Sequence, residues 1–568
     1  MIGFNLSIGE FQFEETIEKP NKIVNYLKDS GFCASRSSLK RFLDDKLFYN
    51  DSNYFLLMEG VVLNKDKFCK GESWEHSIIQ LYFNEGENFF RKFRGSFAGV
   101  FYDKKNDKFI IFSDHVGSKH IYYYHQNDEL YVSTSMEDMY SFLRKNAIKY
   151  SLSERASYML LTYGYMLGNA TLCRQINRLT SGNYIVFEKR KFVQKSFFDL
   201  PTSYVHVSED EAIEKIDDLF RRAIELQFNK DREYGYKHFV ALSGGLDSRM
   251  TSWVANKMGY ENQLNYTFSQ TNYLDETIAK TISGDLGHEW IFKALDNGNF
   301  LTNIDEVNTI TGGNTVFYGV SHGLDMLSHL NFEKLGLLHS GQLGDVIIGS
   351  YLKTQNIKHI YRGEGMHSRK LMEELNETFI EFNSYNEHES YIFKQRGLNG
   401  ILTGNLGAQQ FTETISPFCD PDFISYCLSI PIELRLNHNI YVKWILKKYP
   451  QSAGYIWENT GEVIKDNRIK IRGKEVTLKK LYRFVGSNLG FFSPRINTKE
   501  HMNPFDYWLR TNHNLRKFQD NYFEKNIEFL ARNKKLQNHC DLLYKNGNAI
   551  EKSQVLTLLS SLKLFFDK

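Results

Sequence analysis

A short run of small residues, ALSGGLDSRM at 241–250, carries the first sign of chemistry in this sequence. The apolar segment before it is typical of a strand, and SRMTSWVA after the turn is typical of a helix. Gly244 and Gly245 let backbone N–H groups converge on one point, where the N-terminus of the helix adds positive potential. Such a turn suits phosphate oxygens, and Asp247 beside them suits a magnesium ion. The same residues would also serve as a tight strand-to-helix turn in which Asp247 only caps the helix.

The elements around this turn predict a parallel sheet. Ser208 and Glu211 form a predicted capping box at the start of a long amphipathic helix. The segments KHFVAL, QLNYTFS and LGLLHS are typical of strands, and predicted helices such as DETIAKTISGDLG separate them. Strands that alternate with helices indicate α/β units wound into a parallel sheet. From about residue 360 the pattern is mostly helical, and the last ninety residues keep a helical periodicity.

The first 195 residues have a different pattern. Short β-branched or aromatic runs such as YFLLMEGVVLN, FAGVFYD and KFIIFSD alternate with polar turns. We therefore predict an α+β front domain of stacked antiparallel sheets with helices, followed by an α/β parallel-sheet domain with a helical C-terminal part. The predicted boundaries are residues 1–200, 205–460 and 461–568.

Composition excludes several classes of protein. The chain has 568 residues with 70 basic and 68 acidic side chains, a net charge of +2 that gives no global field for nucleic acid. The six cysteines are scattered without the spacing of a disulfide framework or a zinc site. No run of 18 apolar residues occurs, and the first residues lack a signal-peptide pattern. We expect a soluble cytoplasmic protein with no membrane span.

The run SGGLDS resembles the pyrophosphate-binding loop of the N-type ATP pyrophosphatases, and its surroundings resemble asparagine synthetase and its amide-forming relatives. Those enzymes cleave ATP to AMP and pyrophosphate, adenylate a carboxylate, and let an amine displace AMP. The resemblance therefore implies ATP and Mg²⁺ as ligands. The nucleotide contacts that it implies are Leu242, Ser243, Gly244, Gly245, Asp247, Ser248, Gln270, Ser340 and Gly341.

Three later segments carry the same resemblance. HSGQLGDVIIGSY at 339–351 is similar to the family's SGEGADELFGGY, which implies that Asp345 holds magnesium together with Asp247. PFCDPDF resembles PFLD, with Glu413 matching an acid just before it, and KWILKKYP resembles KxxLR, beginning at Lys443. The implied catalytic set is thus Asp247, Asp345, Glu413 and Lys443. Two acids on loops at the C-terminal ends of strands can hold one cation in the crevice of the sheet.

Several positions depart from the family pattern. Gln342 and Val346 stand where the family has glutamates, and Gln342 cannot act as a general base. Asn459 stands where the family has a lysine that steadies charge on phosphate and acyl groups. Lys465 or Lys470 could replace it from nearby, although a solvated surface lysine is the simpler interpretation of each. Arg249, directly after SGGLDS, is interpreted as a solvated helix residue.

The front part is similar to the family's glutaminase domain, most clearly in FRGSFAGVFYDKKNDKFIIFSDHVGSKHIYYY at 93–124. That domain needs a cysteine at position 2 as its nucleophile, and this sequence has Ile2 there. The Asn-Gly-Glu that anchors glutamine aligns with Glu59, Gly60 and Val61. We therefore predict that glutamine hydrolysis is absent and that the nitrogen comes from ammonia or from an amine of the substrate or of a second molecule.

Three functions remain open from sequence alone. The first is an amide ligase that joins a small-molecule or peptide carboxylate to ammonia or an amine: possible asparagine synthesis, or a specialised peptide, β-lactam-like or polysaccharide-linked amidation. The second, which the balanced charge disfavours, is an RNA-modifying enzyme with the same ATP chemistry. The third is a non-catalytic regulatory protein that keeps the nucleotide site, which the departures at Gln342, Val346 and Asn459 leave open. The expected partners include neither nucleic acid nor a membrane, and the resemblance leaves a homodimer open.

Overall fold

The computed structural model of the protein describes residues 2–10, 22–352, 363–375, 388–464, 469–471, 474–476 and 501–566. The front part, up to about residue 200, contains short antiparallel strands and three helices. The strands are β1 (Gly3–Ile8), β2 (Lys22–Asp29), β3 (Phe32–Leu39), β4 (Leu47–Asn50), β5 (Tyr54–Val62), β6 (Gly95–Asp103), β7 (Lys108–Ser113), β8 (Tyr122–Gln126), β9 (Glu129–Ser133), β10 (Asn177–Arg178), β11 (Asn183–Glu188) and β12 (Lys191–Ser196). The helices are α1 (Trp74–Glu85), α2 (Met136–Lys145) and α3 (Glu154–Tyr163).

These strands form two stacked sheets, in the orders β10-β8-β9-β1-β3-β2 and β12-β11-β7-β6-β5-β4. All of their pairings are antiparallel. Alternate residues of both sheets meet in one apolar core, which includes Phe4 and Phe32 from the first sheet and Val100 and Ile185 from the second. The predicted α+β front domain is confirmed.

The next part is wound around a parallel sheet. Its elements are α4 (Glu209–Glu233), β13 (Lys237–Ala241), α5 (Leu246–Lys257), β14 (Gln263–Ser269), α6 (Leu274–Asp285), β15 (Glu289–Ala294), α7 (Ile304–Thr311), α8 (Tyr318–Leu327), β16 (Leu335–His339), α9 (His388–Ile392), α10 (Asn405–Ala408), β17 (Thr414–Ile415), α11 (Pro421–Ser429), α12 (Ile432–Arg435) and α13 (Asn439–Lys448). Five strands lie in the order β15-β14-β13-β16-β17, all parallel. The predicted α/β sheet is therefore confirmed, and strand order reverses beside β13, where ligands of open sheets bind.

The long helix α4 begins as the sequence predicts. The Ser208 side chain accepts the Glu211 N–H, and the Glu211 carboxylate accepts the Ser208 N–H. Its buried face, which includes Ile216 and Phe220, packs against the apolar core that also holds Met250 of α5. The long helix thereby supports the face of the sheet from which the turn at 242–245 emerges.

Two small hairpins, β18 (Ile456–Trp457) with β19 (Glu462–Val463) and β20 (Ile469–Ile471) with β21 (Lys474–Val476), precede the last helices. These are α14 (Phe505–Thr511), α15 (His513–Asn526), α16 (Lys534–Asn546) and α17 (Ala549–Ser561).

In the predicted helical extension, 461–568, the described residues 462–463, 469–471 and 474–476 are strands, and residues 505–566 are mostly helical. Helix α17 is buried on nearly all sides, and its Leu558 and Leu559 share a core with Leu160 of α3 and Val307 of α7. Tyr150 of the front part donates to the Phe565 carbonyl at 2.6 Å. No helix in the described part of the chain combines the length and the apolar character that a membrane crossing needs.

Candidate active site

A cleft of about 780 Å³ opens at the C-terminal ends of β13 and β16. One of its walls is the turn between β13 and α5, and the other is the turn after β16. The residues of these two turns that line the cleft are Leu242, Ser243, Gly245, Leu246, Asp247, Ser248, Ser340, Gly341, Gln342 and Asp345. Most of the predicted nucleotide contacts therefore face one cavity.

The first turn is held in shape by short side chains. Ser243 N–H donates to the Ser248 hydroxyl at 3.0 Å, and the two hydroxyls lie 2.8 Å apart. Gly245 N–H donates to the Ser243 hydroxyl at 3.2 Å. Since the pair of hydroxyls uses one proton between them, the other proton remains for a ligand oxygen. The turn therefore presents hydroxyl donors as well as the N-terminus of α5 to an anion.

Gly244 is the one glycine of the turn that faces inward. Its N–H donates to Asp275 Oδ1 at 2.7 Å, and a Cβ atom there would come within 2.8 Å of Glu458 Cβ. Burial raises the pKa of Asp275 to about 6, although the hydrogen bond from Gly244 opposes that rise. The Asp275 carboxylate thus holds the backbone of the turn in place at Gly244.

Glycines also let the two turns approach each other. A Cβ atom at Gly341 would overlap the backbone of Asp247 and Ser248, and one at Gly344 would lie 2.6 Å from Asp247 Cγ. Asp345 N–H donates to Asp247 Oδ2 at 2.9 Å, which ties the second turn directly to the first. Side chains at either glycine position would push the two carboxylates apart.

Asp247 is a buried carboxylate of the cleft whose surroundings shift its pKa strongly. Desolvation and the nearby Asp345 carboxylate raise its pKa well above the ordinary value, and Tyr441 donates to its Oδ1 at 2.6 Å. Within the described ranges, neither aspartate forms an ion pair with a lysine or arginine. Two close carboxylates without a cationic partner fit a divalent cation with oxygen ligands. Asp247 and Asp345 would hold it.

Tyr441 is a site residue that the sequence did not predict. It lies on α13, two residues before Lys443, and 194 positions from the aspartate that it contacts. The sequence indicates only the nearby Lys443, through the resemblance of KWILKKYP to a family segment.

The turn after β16 has a strained backbone at Leu343, beside Gln342, which departs from the family pattern. Leu343 has φ of +70° and its side chain is buried, in the left-handed region that costs a non-glycine residue about 1–2 kcal/mol. Gln342 lines the cleft, and Asn405 donates to its side-chain oxygen at 2.8 Å. Val346 is buried in the core. The turn therefore keeps its shape without either of the family's glutamates.

The interpretation of Arg249 as a solvated residue is wrong. Its side chain is 0% exposed, and its guanidinium donates to the carbonyls of Ser452, Tyr455, Ile456 and Gly244 at 2.5–3.2 Å. An arginine can satisfy this many acceptors because its planar group carries five donors. Arg249 therefore joins the first turn to the segment before β18, a role that helical spacing alone could not reveal.

Besides Gly244, which faces inward, three predicted site residues do not line the cleft. Lys443 forms an ion pair with Glu209 at 2.7 Å on the outer side of α13. Gln270, in the amide orientation that satisfies its neighbours, donates to Asp296 and accepts from Trp508.

Glu413 is buried at the boundary with the front part, where Lys119 lies 2.7 Å away and Lys46 3.7 Å away. Burial alone would raise the pKa of Glu413, but these two lysines lower it below the ordinary value. Its position does not support the predicted catalytic role, because both carboxylate oxygens face structural cations.

No lysine is among the described residues that line the cleft. Asn459 lines it, at the position where the family has lysine. Lys465 lies outside the described residues, and only the backbone of Lys470, in β20, is described.

A small pocket of about 30 Å³ lies where the resemblance at positions 2 and 59–61 implies a glutamine site. Ile2, Glu59 and Lys119 line it. Glu59 is 1% exposed, with Arg36 3.5 Å away and Lys46 3.7 Å away. On the scale in which about 10–15 Å³ holds one water molecule, this pocket has room for two or three waters.

Comparisons with known proteins agree with this arrangement. Residues 48–198 match the family model of a glutamine amidotransferase domain, and residues 215–452 match that of asparagine synthase.

The chain is 21% identical over 273 residues to asparagine synthetase [glutamine-hydrolyzing] 1 of Bacillus subtilis, covering 46% of this chain and 42% of the relative. It is 25% identical over 184 residues to asparagine synthetase B [glutamine-hydrolyzing] of Escherichia coli, covering 32% of this chain and 26% of the relative. It is also 24% identical over 200 residues to amidase chry2 of Gibberella zeae, covering 33% of this chain and 28% of the relative. The matched regions thus span less than half of each of these relatives.

Proposed function

Because the chain belongs to the asparagine synthetase family, we propose that it is an ATP-dependent carbon–nitrogen ligase that activates a carboxylate as its adenylate. The observation that carries this proposal is the meeting of Asp247 and Asp345 at the base of the cleft, tied by a 2.9 Å hydrogen bond. Both acids lie on turns at the C-terminal ends of neighbouring parallel strands, which is where open α/β sheets bind nucleotides.

In the proposed reaction, a carboxylate oxygen of the substrate attacks the α-phosphorus of ATP, and the bond to the oxygen that bridges to the β-phosphate breaks. Pyrophosphate leaves, and an acyl adenylate remains. An amine nitrogen then attacks the acyl carbon, AMP departs, and the nitrogen releases one proton. Bound Mg²⁺ would neutralise charge on the phosphate oxygens. Ser243, Ser248 and the N-terminus of α5 orient the phosphates.

Tyr441 and Arg249 would act by positioning. Tyr441 orients the Asp247 carboxylate through its 2.6 Å hydrogen bond, and Arg249 holds the Gly244 carbonyl at 3.2 Å. Neither Glu413 nor Lys443 belongs to the catalytic set that we propose, because neither faces the cleft.

We further propose that the front part does not hydrolyse glutamine. Two observations support this: the pocket beside Glu59 has a volume of only about 30 Å³, and Ile2, which lines it, has no nucleophilic side chain. The nitrogen source is then ammonia or an amine that enters the cleft. Release of glutamate from glutamine by the purified protein would contradict this part of the proposal.

A second candidate is a nucleotide-binding relative that does not catalyse amide formation. The observation that favours it is the lack of a lysine among the described residues of the cleft, together with Asn459 at the family's lysine position. Without that cation, charge on the transferring group would be less well stabilised.

ATP–pyrophosphate exchange tests the two candidates. A ligase shows exchange that depends on a carboxylic acid and on Mg²⁺, and Asp247→Ala removes it. The exposed residue Asp210 on α4 supplies a matched control, since Asp210→Asn leaves the cleft untouched. Magnesium-dependent ATP binding with no exchange for any of aspartate, glutamate and longer diacids would favour the second candidate.

A further inference from the structure

The cleft continues well beyond the two aspartates, into a region that we call the far arm. The residues that define it are Tyr165, Val316, Gly319, Gly323, Arg396 and Gly400. At about 780 Å³ the whole cleft lies near the upper end of the roughly 300–1,000 Å³ typical of ligand pockets. The far arm therefore provides space for a second substrate beside the nucleotide.

Arg396 gives the far arm a positive charge that has no carboxylate partner among the described residues. It is exposed and lines the cleft, and no carboxylate of the described residues forms an ion pair with it. Its guanidinium lies 5.7 Å from the centre of the Tyr351 ring. An arginine that faces a cavity and stacks on an aromatic ring is suited to bind an anion from outside the chain.

Tyr165 provides a second, independent sign of a ligand. It is 5% exposed and lines the cleft, yet its hydroxyl has no hydrogen-bond partner among the described residues. Burial raises the pKa of both Tyr165 and Tyr351, and the positive charge of Arg396 opposes that rise in both. A buried donor without an acceptor is costly, and a ligand oxygen beside Arg396 would satisfy it once the Tyr165 side chain turns its buried hydroxyl toward the cleft.

The floor of the far arm is kept open by glycine. Gly319 and Gly323 lie one turn apart on α8, and a Cβ atom at either would meet nothing within 4 Å. Glycine inside a helix destabilises it by about 0.5–1 kcal/mol relative to alanine. Because no atom of the described residues fills the space over these glycines, a ligand lying there would explain the cost.

We infer that the far arm binds the body of the carboxylate substrate, with a second anionic group of that substrate held by Arg396 and the Tyr165 hydroxyl. This inference rests on the proposed function, since the other end of the substrate must present its reactive carboxylate near Asp247. The substrate class is an acid whose second anionic group, a carboxylate or a phosphate, is separated from the first by an extended body lying over Gly319 and Gly323.

Isothermal titration tests this assignment with defined probes in the presence of Mg²⁺ and a non-hydrolysable ATP analogue. The probes are glutarate, adipate and suberate, the monoacids pentanoate, hexanoate and octanoate, and 6-phosphonohexanoate. We expect at least one dianionic probe to bind at least tenfold more tightly than its matched monoacid. Comparison of adipate with 6-phosphonohexanoate distinguishes a carboxylate from a phosphate at Arg396.

Arg396→Met should lower the affinity of the dianionic probe to that of the monoacid, whereas Arg222→Met, at an exposed position of α4, should leave it unchanged. Equal binding of diacids and monoacids, no binding of any probe, or an Arg396→Met variant with unchanged selectivity would overturn the inference.

Two further variants separate ligand binding from folding. Tyr165→Phe removes an unsatisfied donor, so the thermal midpoint should hold or rise while the affinity for the dianionic probe falls by about three- to tenfold. Gly323→Ala should raise the thermal midpoint and lower the affinity. A purely structural role for either residue predicts no change in affinity.

The proposed function can fail separately. The Asp247→Asn variant could bind nucleotide with unchanged affinity while diacid binding still depends on Arg396. That result would refute the proposed nucleotide site but leave the assignment of the far arm standing.

Discussion

The cleft beside the parallel sheet and the small pocket of the front part differ in how their buried acids are compensated. Asp247 and Asp345 face a cavity of about 780 Å³, and no cationic side chain of the described residues pairs with them. Glu59 faces a pocket of about 30 Å³, and Arg36 and Lys46 lie within 3.7 Å of it. In our proposal the first site takes a cation from outside the chain, whereas Glu59 has cations of the chain itself beside it. The two sites therefore differ in whether side chains of the described residues supply positive charge beside the buried acid.

The strongest test of this contrast is to remove one of the two uncompensated acids. Asp345→Asn should lower Mg²⁺-dependent ATP affinity by at least about 100-fold, because one of two ligands to the cation is lost. Stability should hold or increase, since two close carboxylates repel each other. Titration calorimetry with and without Mg²⁺ measures the affinity, and thermal unfolding measures the stability. An unchanged affinity would remove Asp345 from the site.

The close approach of the two turns can be broken without changing any charge. Gly341→Ala places a Cβ atom against the Asp247 and Ser248 backbone, so we expect a loss of about 1–3 kcal/mol of unfolding free energy and weaker ATP binding. Gly284→Ala, on α6, is the matched control because a Cβ atom there meets nothing within 4 Å. Chemical denaturation compares the two variants. Equal stability of both would show that the turns do not need this approach.

Neutralising Glu59, the acid of the front part that has cationic neighbours, should lower stability, in contrast to neutralising Asp345 in the cleft. Glu59→Gln removes the negative charge beside Arg36, while Lys46 keeps Glu413 3.7 Å away, so we expect a loss of about 1–3 kcal/mol of unfolding free energy. Urea unfolding should show this loss, while the ATP affinity of the folded variant stays near that of the unchanged protein. If the variant unfolds at the same urea concentration as the unchanged protein, the charge cluster contributes nothing to stability.

The smallest expected effect concerns pH and Asp275. Burial raises its folded-state pKa to about 6, so the folded protein binds more protons than the unfolded chain between about pH 4 and 6. Its charged form therefore destabilises the fold increasingly as pH rises through this range. Asp275→Asn removes this penalty, and its stability relative to the unchanged protein should rise by about 1 kcal/mol from pH 5 to 7.5. A difference that is the same at both pH values would show that Asp275 is not perturbed.

The sequence predicted the elements of the fold and the two turns of the cleft because these depend on local pattern. The capping box at Ser208, the parallel sheet and the glycine turn before α5 all follow from residues close in the chain. Asp247 and Asp345 lie 98 positions apart, yet strand order alone brings their turns together.

What the sequence could not predict depends on side chains that meet across elements. Arg249 looked like a surface residue because its acceptors, the carbonyls at 452–456, belong to a segment 200 positions away. Glu413 and Lys443 matched family positions, but Lys119 and Glu209 engage them outside the cleft. A motif match fixes a residue's place in the chain, whereas its partner is fixed only by the packing of neighbouring elements.

Anomalous diffraction from Mn²⁺ in crystals grown with a non-hydrolysable ATP analogue tests the central claim most directly. A single strong peak between the carboxylates of Asp247 and Asp345, with phosphate oxygens completing its coordination, is the predicted result. A metal bound elsewhere, or a nucleotide outside the turn at 242–248, would contradict the account.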